Sequence, residues 1–188
     1  MQKSIEKIIV DIIKTCMDLP TNYGKTSKND EIPSIMIYGQ NIKLFNTDKL
    51  QVVVRTVSQR VWSNRNEYYT DKDGNYIERQ DINESRLMQV DLYSRNNDAR
   101  ERFWEVPMAL NSNYAKQQMD KYNFKLSTIT TSNNTTGIDG GSDVNRFTVT
   151  FTALTHQYKE TQIDYYDKFS FTLDDEQGQF YPSNSEEE

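Results

Sequence analysis

The sequence predicts an α+β domain: one largely antiparallel sheet with a long β-hairpin, packed by two helices. Three observations carry this. Ile5, Ile8, Ile9, Ile12, Ile13 and Cys16 recur at helical spacing near the start. Two long segments rich in Val, Thr, Tyr and Ile flank Asp73-Gly74, a dipeptide suited to a tight hairpin turn. Near residue 150, Phe147, Val149, Phe151 and Ala153 alternate with Thr148, Thr150 and Thr152, the two-residue period of a half-buried strand.

Taken in order, residues 3–18 read as an amphipathic helix that Leu19-Pro20 ends. The stretch TNYGKTSKND reads as a loop, and SIMIY, 34–38, as a short apolar strand stopped by Gly39. The hairpin strands fall at about 50–70 and 76–94. A two-residue type I′ turn at Asp73-Gly74 sets Lys72 opposite Asn75, so Val57 faces Val90, Gln59 faces Met88 and Arg55 faces Leu92. That register puts Val53, Val57 and Val61 on one buried face with Met88, Val90 and Leu92.

Beyond SNRN, 63–66, no apolar face continues. Eighteen strand residues would span roughly 60 Å, against a radius of gyration of about 16 Å for a compact chain of this length. The hairpin must therefore bend or leave the body as an arm at about 62–85. SRNNDAR supplies helix caps. Ala99, Phe103, Val106 and Leu110 mark a second helix, which Pro107 should kink or split. FKLSTITT, 124–131, reads as a strand, and SNNTTGIDGGSD, 132–143, as a long polar loop. Residues 146–158 and 165–173 read as the last strands. The remainder, 174–188, is acidic and patternless, a disordered tail or a docking peptide.

Composition narrows the function. A net charge of −6 argues against non-specific DNA binding, which needs a basic face. One cysteine excludes a disulfide framework and a multi-thiolate zinc site, and fits a reducing compartment. Charged residues interrupt the N-terminal apolar run, so it is not a signal peptide, and no segment is as long as a membrane span. Asp71-Lys72-Asp73-Gly74-Asn75 begins like a calcium loop. Neither frame of an EF-hand supplies the Glu at position 12, so the turn reading is preferred and no metal site is assigned.

His156 stands apart from any ligand cluster and reads as a surface or edge histidine. Cys16 reads as a buried small hydrophobe. GIDGGSD lacks the strand-to-helix context of a phosphate loop, and no general acid faces a base. No cofactor and no enzymatic activity are expected. Trp62, Tyr68, Tyr69 and Tyr76 with Arg60, Arg65 and Arg79 suit either base stacking or a protein interface; on an acidic chain the interface is preferred.

RLMQVDLYSRNNDARERFWEVPMAL, 86–110, resembles the strand-then-helix segment of tail terminator and neck terminator proteins of tailed bacteriophages. The resemblance lies in Val90, Asp91, Leu92, Tyr93 and Ser94, followed by Asn97, Asp98 and Ala99. It continues through 146–171, with an Ile163-Asp164 step before a short strand, and covers most of residues 1–173 as a single domain. The resemblance implies a structural virion protein of the tail or neck, made in the host cytoplasm. Such a protein forms a ring, commonly of six copies, that ends tube polymerisation and joins the tail to the head connector. Its partners would be further copies of itself, the tail tube protein and the head connector or neck protein, with DNA passing through unbound. Six copies at −6 would carry about −36, and an acidic lumen lets DNA slide. A ring needs two complementary patches per subunit. The candidates are the arm residues Trp62, Arg65, Tyr68, Tyr69, Tyr76 and Arg79, with Asp139, and the 132–143 loop carrying Gly137, Gly140 and Gly141. Another tail or baseplate subunit and a calcium-binding interaction module are the alternative classes.

Overall fold

The computed structural model describes residues 3–25, 31–39, 48–127, 131–134, 137–139 and 142–163. Two layers form the body. One is a sheet in the order β3-β4-β5-β9-β6, with β7 and β8 also paired to β9. The other is a set of helices on one face. The strands are β1 (Asn22–Lys25), β2 (Glu31–Pro33), β3 (Ile35–Ile37), β4 (Gln51–Thr70), β5 (Tyr76–Ser94), β6 (Phe124–Leu126), β7 (Thr131–Asn134), β8 (Gly137–Asp139) and β9 (Ser142–Gln162). All pairings are antiparallel except β3 with β4.

Helix α1 (Ile5–Cys16) buries Ile5, Ile8, Ile9, Ile12 and Ile13 against the sheet, as its spacing predicts. Cys16 departs from expectation: it is exposed, its Sγ 3.3 Å from the Ser112 hydroxyl. The buried stripe passes from Ile13 to Met17, four residues on, and leaves Cys16 at the rim. The expected second helix is three helices: α2 (Asp98–Arg102), α3 (Glu105–Leu110) and α4 (Asn113–Tyr122). The break falls at Phe103–Trp104, so Pro107 sits in the first turn of α3, where its missing N–H is harmless. Ser94 and Asn96 accept the N–H groups of Ala99 and Asp98 at the start of α2. Ser112 caps α4 through the Ala115 N–H. This last helix buries Ala115 and packs Tyr114, Met119 and Tyr122 partly against the core; its apolar stripe is short and set among polar residues.

The long hairpin is present, in a different register. Asp71 N–H donates to Asn75 O and Gly74 N–H to Asp71 O, with Gly74 at φ 85°. This is a three-residue loop, a type I turn closed by a left-handed glycine, rather than the expected two-residue turn. The change moves the register by one, so that Thr70 faces Tyr76. Two β-bulges in β4, at Val57 and Trp62, move it by one each. Lys72 opposite Asn75 sums to 147; the pairs at the base sum to 144, three fewer.

An odd shift exchanges the faces. Val52, Val54 and Thr56 therefore face Leu92, Val90 and Met88, and Val52 and Val54 are core. Val57 and Val61, expected in the core, are each 50% exposed. Val53 is buried on the opposite face, in the row of Asp91 and Thr148.

Three further expectations change. The segment read as loop at 21–30 contributes β1, paired to β2. The expected strand at 124–131 is only β6 over its first residues. The expected 132–143 loop holds β7 and β8, both laid against β9, which begins at Ser142. Asn133 and Asn134 satisfy their backbone in the sheet, where side-chain polarity predicted a loop. The expected strand at 165–173 and the tail at 174–188 lie outside the described residues.

Candidate functional site: a three-stranded arm

Strand β5 has a partner on each side along its full length. It pairs with β4 from Tyr76 to Tyr93 and with β9 from Ile77 to Ser94. The arm is thus three-stranded, which corrects the two-stranded expectation. The third strand supplies the cross-strand contacts that an isolated hairpin lacks in water. The helix layer stops near Thr155, where β6 begins its pairing with β9. Seven further rows, from Asn83–His156 to Ile77–Gln162, project past it, about 23 Å at the usual rise. Strand β4 has no outer neighbour past Val54, and β9 none past Thr155, among the described residues.

Alternation sorts the predicted interface residues onto two faces. On the helix side, Tyr68 stacks on Tyr76 with ring centroids 6.2 Å apart, and the Tyr68 hydroxyl donates to Glu78. On the other face lie Arg65, Tyr69 and Arg79. Arg65 pairs with Glu67 at 2.8 Å. Arg79 donates to both oxygens of Asp81, lies over the Tyr158 ring at 4.4 Å and reaches Glu160. Partial desolvation and the neighbouring Glu160 carboxylate push the Tyr69 phenol above its ordinary value.

Trp62 belongs to neither face. As a bulge residue on the outer edge it is 59% exposed, next to Val57 and Val61. Asp139 lies in β8, opposite Ser142, and Gly137 opposite Val144; both therefore pair with the start of β9, at the opposite end from the arm. Gly140 and Gly141 lie outside the described residues. Trp62, Arg65, Tyr68 and Tyr69 lie on β4 and Tyr76 and Arg79 on β5, while Asp139 and Gly137 belong to β8.

His156 is partly exposed at the root of the arm. One ring nitrogen is 2.9 Å from Asp81 Oδ1 and the other 3.4 Å from the Asn123 amide. It ties the arm to the end of α4. A second tie lies on the helix side: Arg86 pairs with Glu84 and Glu6, Gln59 donates to Glu84, and Thr56 donates to Glu6 of α1. A cleft of about 210 Å³ opens there, lined by Lys3, Ser4, Arg86, Thr155 and His156 among others. Its cations are already engaged, Lys3 with Asp11 and Arg86 as above, so it offers an anion no unpaired charge.

Asp71 at the tip uses its carboxylate internally. One oxygen accepts the N–H groups of Asp73 and Asn75, and the other accepts the Asn75 side-chain amide. These bonds, the Asn75 amide first, hold its pKa below the ordinary 3.8. The string that begins like a calcium loop is thus an Asx-type turn. Among the described residues no three His, Cys, Asp or Glu side chains gather as metal ligands, and no helix is long and apolar enough to cross a membrane.

Sequence reasoning missed Tyr158. It is 57% exposed on the arm's outward face; it lies inside the strand expected at 146–158, and alternation from Thr148, Thr150 and Thr152 would have placed it on that face. The sequence matches no protein-family model and no curated protein.

Proposed function

We propose that this chain is a structural virion protein of a tailed bacteriophage, forming a ring at the head-proximal end of the tail that ends tube polymerisation and joins tail to head connector. The observation that carries the reading is the arm. It is a sheet extension braced at its root and studded with exposed Trp62, Tyr68, Tyr69 and Tyr158 beside arginines, the composition of a protein interface. The resemblance of 86–110 and 146–171 to tail and neck terminators supplies the particular role. The arm reaches outward far enough to touch a neighbouring subunit, as a head-to-tail ring requires.

Light scattering with negative-stain imaging tests it. Six copies of a 22.1 kDa chain give discrete rings of about 133 kDa. Long tubes would assign the chain to the tube instead. A protein that stays monomeric at every concentration, and does not cap purified tail tubes, would remove the reading.

A further inference from the structure

The outer edge of the arm presents unpaired backbone. Asp71 N–H donates to Asn75 O across the hairpin. Counting back by two along a stretch without bulges, Tyr69, Glu67 and Arg65 also turn their N–H and C=O groups toward β5. Asn64, Asn66, Tyr68 and Thr70 turn theirs the other way, where no strand receives them among the described residues. This edge is regular from Ser63 to Thr70 and holds no proline; both bulges lie nearer the body, at Val57 and Trp62. Such an edge is a template for another strand.

The side chains along it suit a second copy of the same edge. Arg65 and Glu67 lie on the outward face, two residues apart, 73% and 41% exposed. An antiparallel pair of β4 edges with its two-fold axis at Asn66 sets Arg65 opposite Glu67 of the second copy, and Glu67 opposite its Arg65. These are non-hydrogen-bonded positions, with Cα atoms about 4.5 Å apart and side chains closest. Asn66 then faces Asn66, and Asn64 faces Tyr68. Their N–H groups on the two copies make about six bonds to facing carbonyls. Asn64, Asn66 and Tyr68 all lie on the helix side, so both helix layers stay on one face of the joined sheet. Trp62, 59% exposed at the end of this edge, comes opposite Thr70 of the second copy.

We infer that two copies of this chain join through the outer edge of β4, about a two-fold axis at Asn66, making one six-stranded sheet of two arms. Other pairings of the open edges oppose like charges. Full overlap of two β9 edges over 156–162 puts Lys159 opposite itself. Two arms side by side at one level, β4 against β9, put Glu67 beside Glu160, since both stand in the row of Arg79. The two-fold contact does not depend on the ring reading: it uses the arm's edge and leaves the outward face, with Tyr69, Arg79 and Tyr158, open to a ring neighbour.

The test uses the full chain with Cys16→Ser and one new cysteine. Oxidised Asn66→Cys should link to itself, because directly opposed Cα atoms about 5.5 Å apart permit a disulfide. Asn64→Cys and Tyr68→Cys should each link at least tenfold less, their own copies being about 13 Å away along the strand. Glu160→Cys on β9 should not link. Sedimentation without new cysteines gives a second readout. Arg65→Glu and Glu67→Arg should each weaken self-association about tenfold, as two attractive pairs become repulsive. Mixing these two variants should restore association, because each supplies the charge the other lacks. No link at position 66, equal linking at 64 and 68, linking at 160 instead, or no recovery on mixing would overturn the inference. Rings that form without the link at 66 sink the two-fold contact and keep the ring reading; linked dimers that form no ring do the reverse.

Discussion

At the scale of single residues, two positions carry most of what is unexpected. Val54, not Val57, lies opposite Val90 with no exposed surface, although both valines belong to the same strand. Val54→Ala removes buried methyl groups and leaves a void, and should cost on the order of 1–3 kcal/mol. Val57→Ala, at a half-exposed bulge, should stay within about 0.5 kcal/mol. Urea denaturation of the two variants separates them, and equal losses would contradict the bulged register. Asp71 has a pH signature. Its folded pKa is depressed, so the order it gives the tip is present above the ordinary 3.8 and is lost as pH falls through the lower folded value. The Asn75 amide signal followed by NMR should titrate with a midpoint below 3.8, and Asp71→Asn should abolish that titration. A midpoint at or above 3.8 would mean that the carboxylate does not hold the turn.

At the scale of elements, the arm is a sheet in its own right. A bare hairpin of this polarity would be marginal in water. Here β5 is bonded on both sides, and its outward face is laced by Arg79 with Asp81, Glu160 and the Tyr158 ring. Each such surface contact contributes little alone, but the three strands hold them in register. Replacing 64–81 with a short turn should leave the helix-covered body folded, because the core cluster ends at Ala153 on β9. It should also strip β9 of its partner over 158–162 and expose Lys159 to trypsin, a cut that the intact arm resists. Limited proteolysis followed by mass spectrometry reads both outcomes. Loss of the body's cooperative transition would show that arm and body fold as one unit.

At the scale of the whole molecule, the design is a two-layer body with a lever. The ties from Arg86 to Glu6 and from His156 to Asn123 fix the arm's root to α1 and α4. A contact made at the tip is thereby transmitted to the body as a fixed angle, which a closed ring needs of every subunit. The arm-shortened chain should therefore stay monomeric at concentrations where the intact chain assembles. Light scattering measures this directly, and rings formed equally by both would remove the arm from the assembly interface. Because residues 1–173 are neutral overall, the acidity proposed to keep DNA from sticking in such a ring would lie in 174–188 alone.

The sequence by itself determined the α+β class, helix α1, the existence of the long hairpin and the aromatic surface of its distal half. Each of these follows from local periodicity or from a polar–apolar contrast along the chain, which a single strand or helix displays without its neighbours. Tertiary structure decided the rest. The register depended on three single-residue offsets, a three-residue loop and two bulges, none of which changes composition, yet together they exchange the faces of β4 and put Val54 where Val57 was expected. The third strand of the arm and the strands at 131–139 arise from pairing across long sequence separations, which satisfies backbone groups whatever the side chains are. Helix α4 is held by its Ser112 cap, by buried Ala115 and by the partly buried Tyr114, Met119 and Tyr122, a short apolar stripe among mostly polar residues that is easily missed in the sequence.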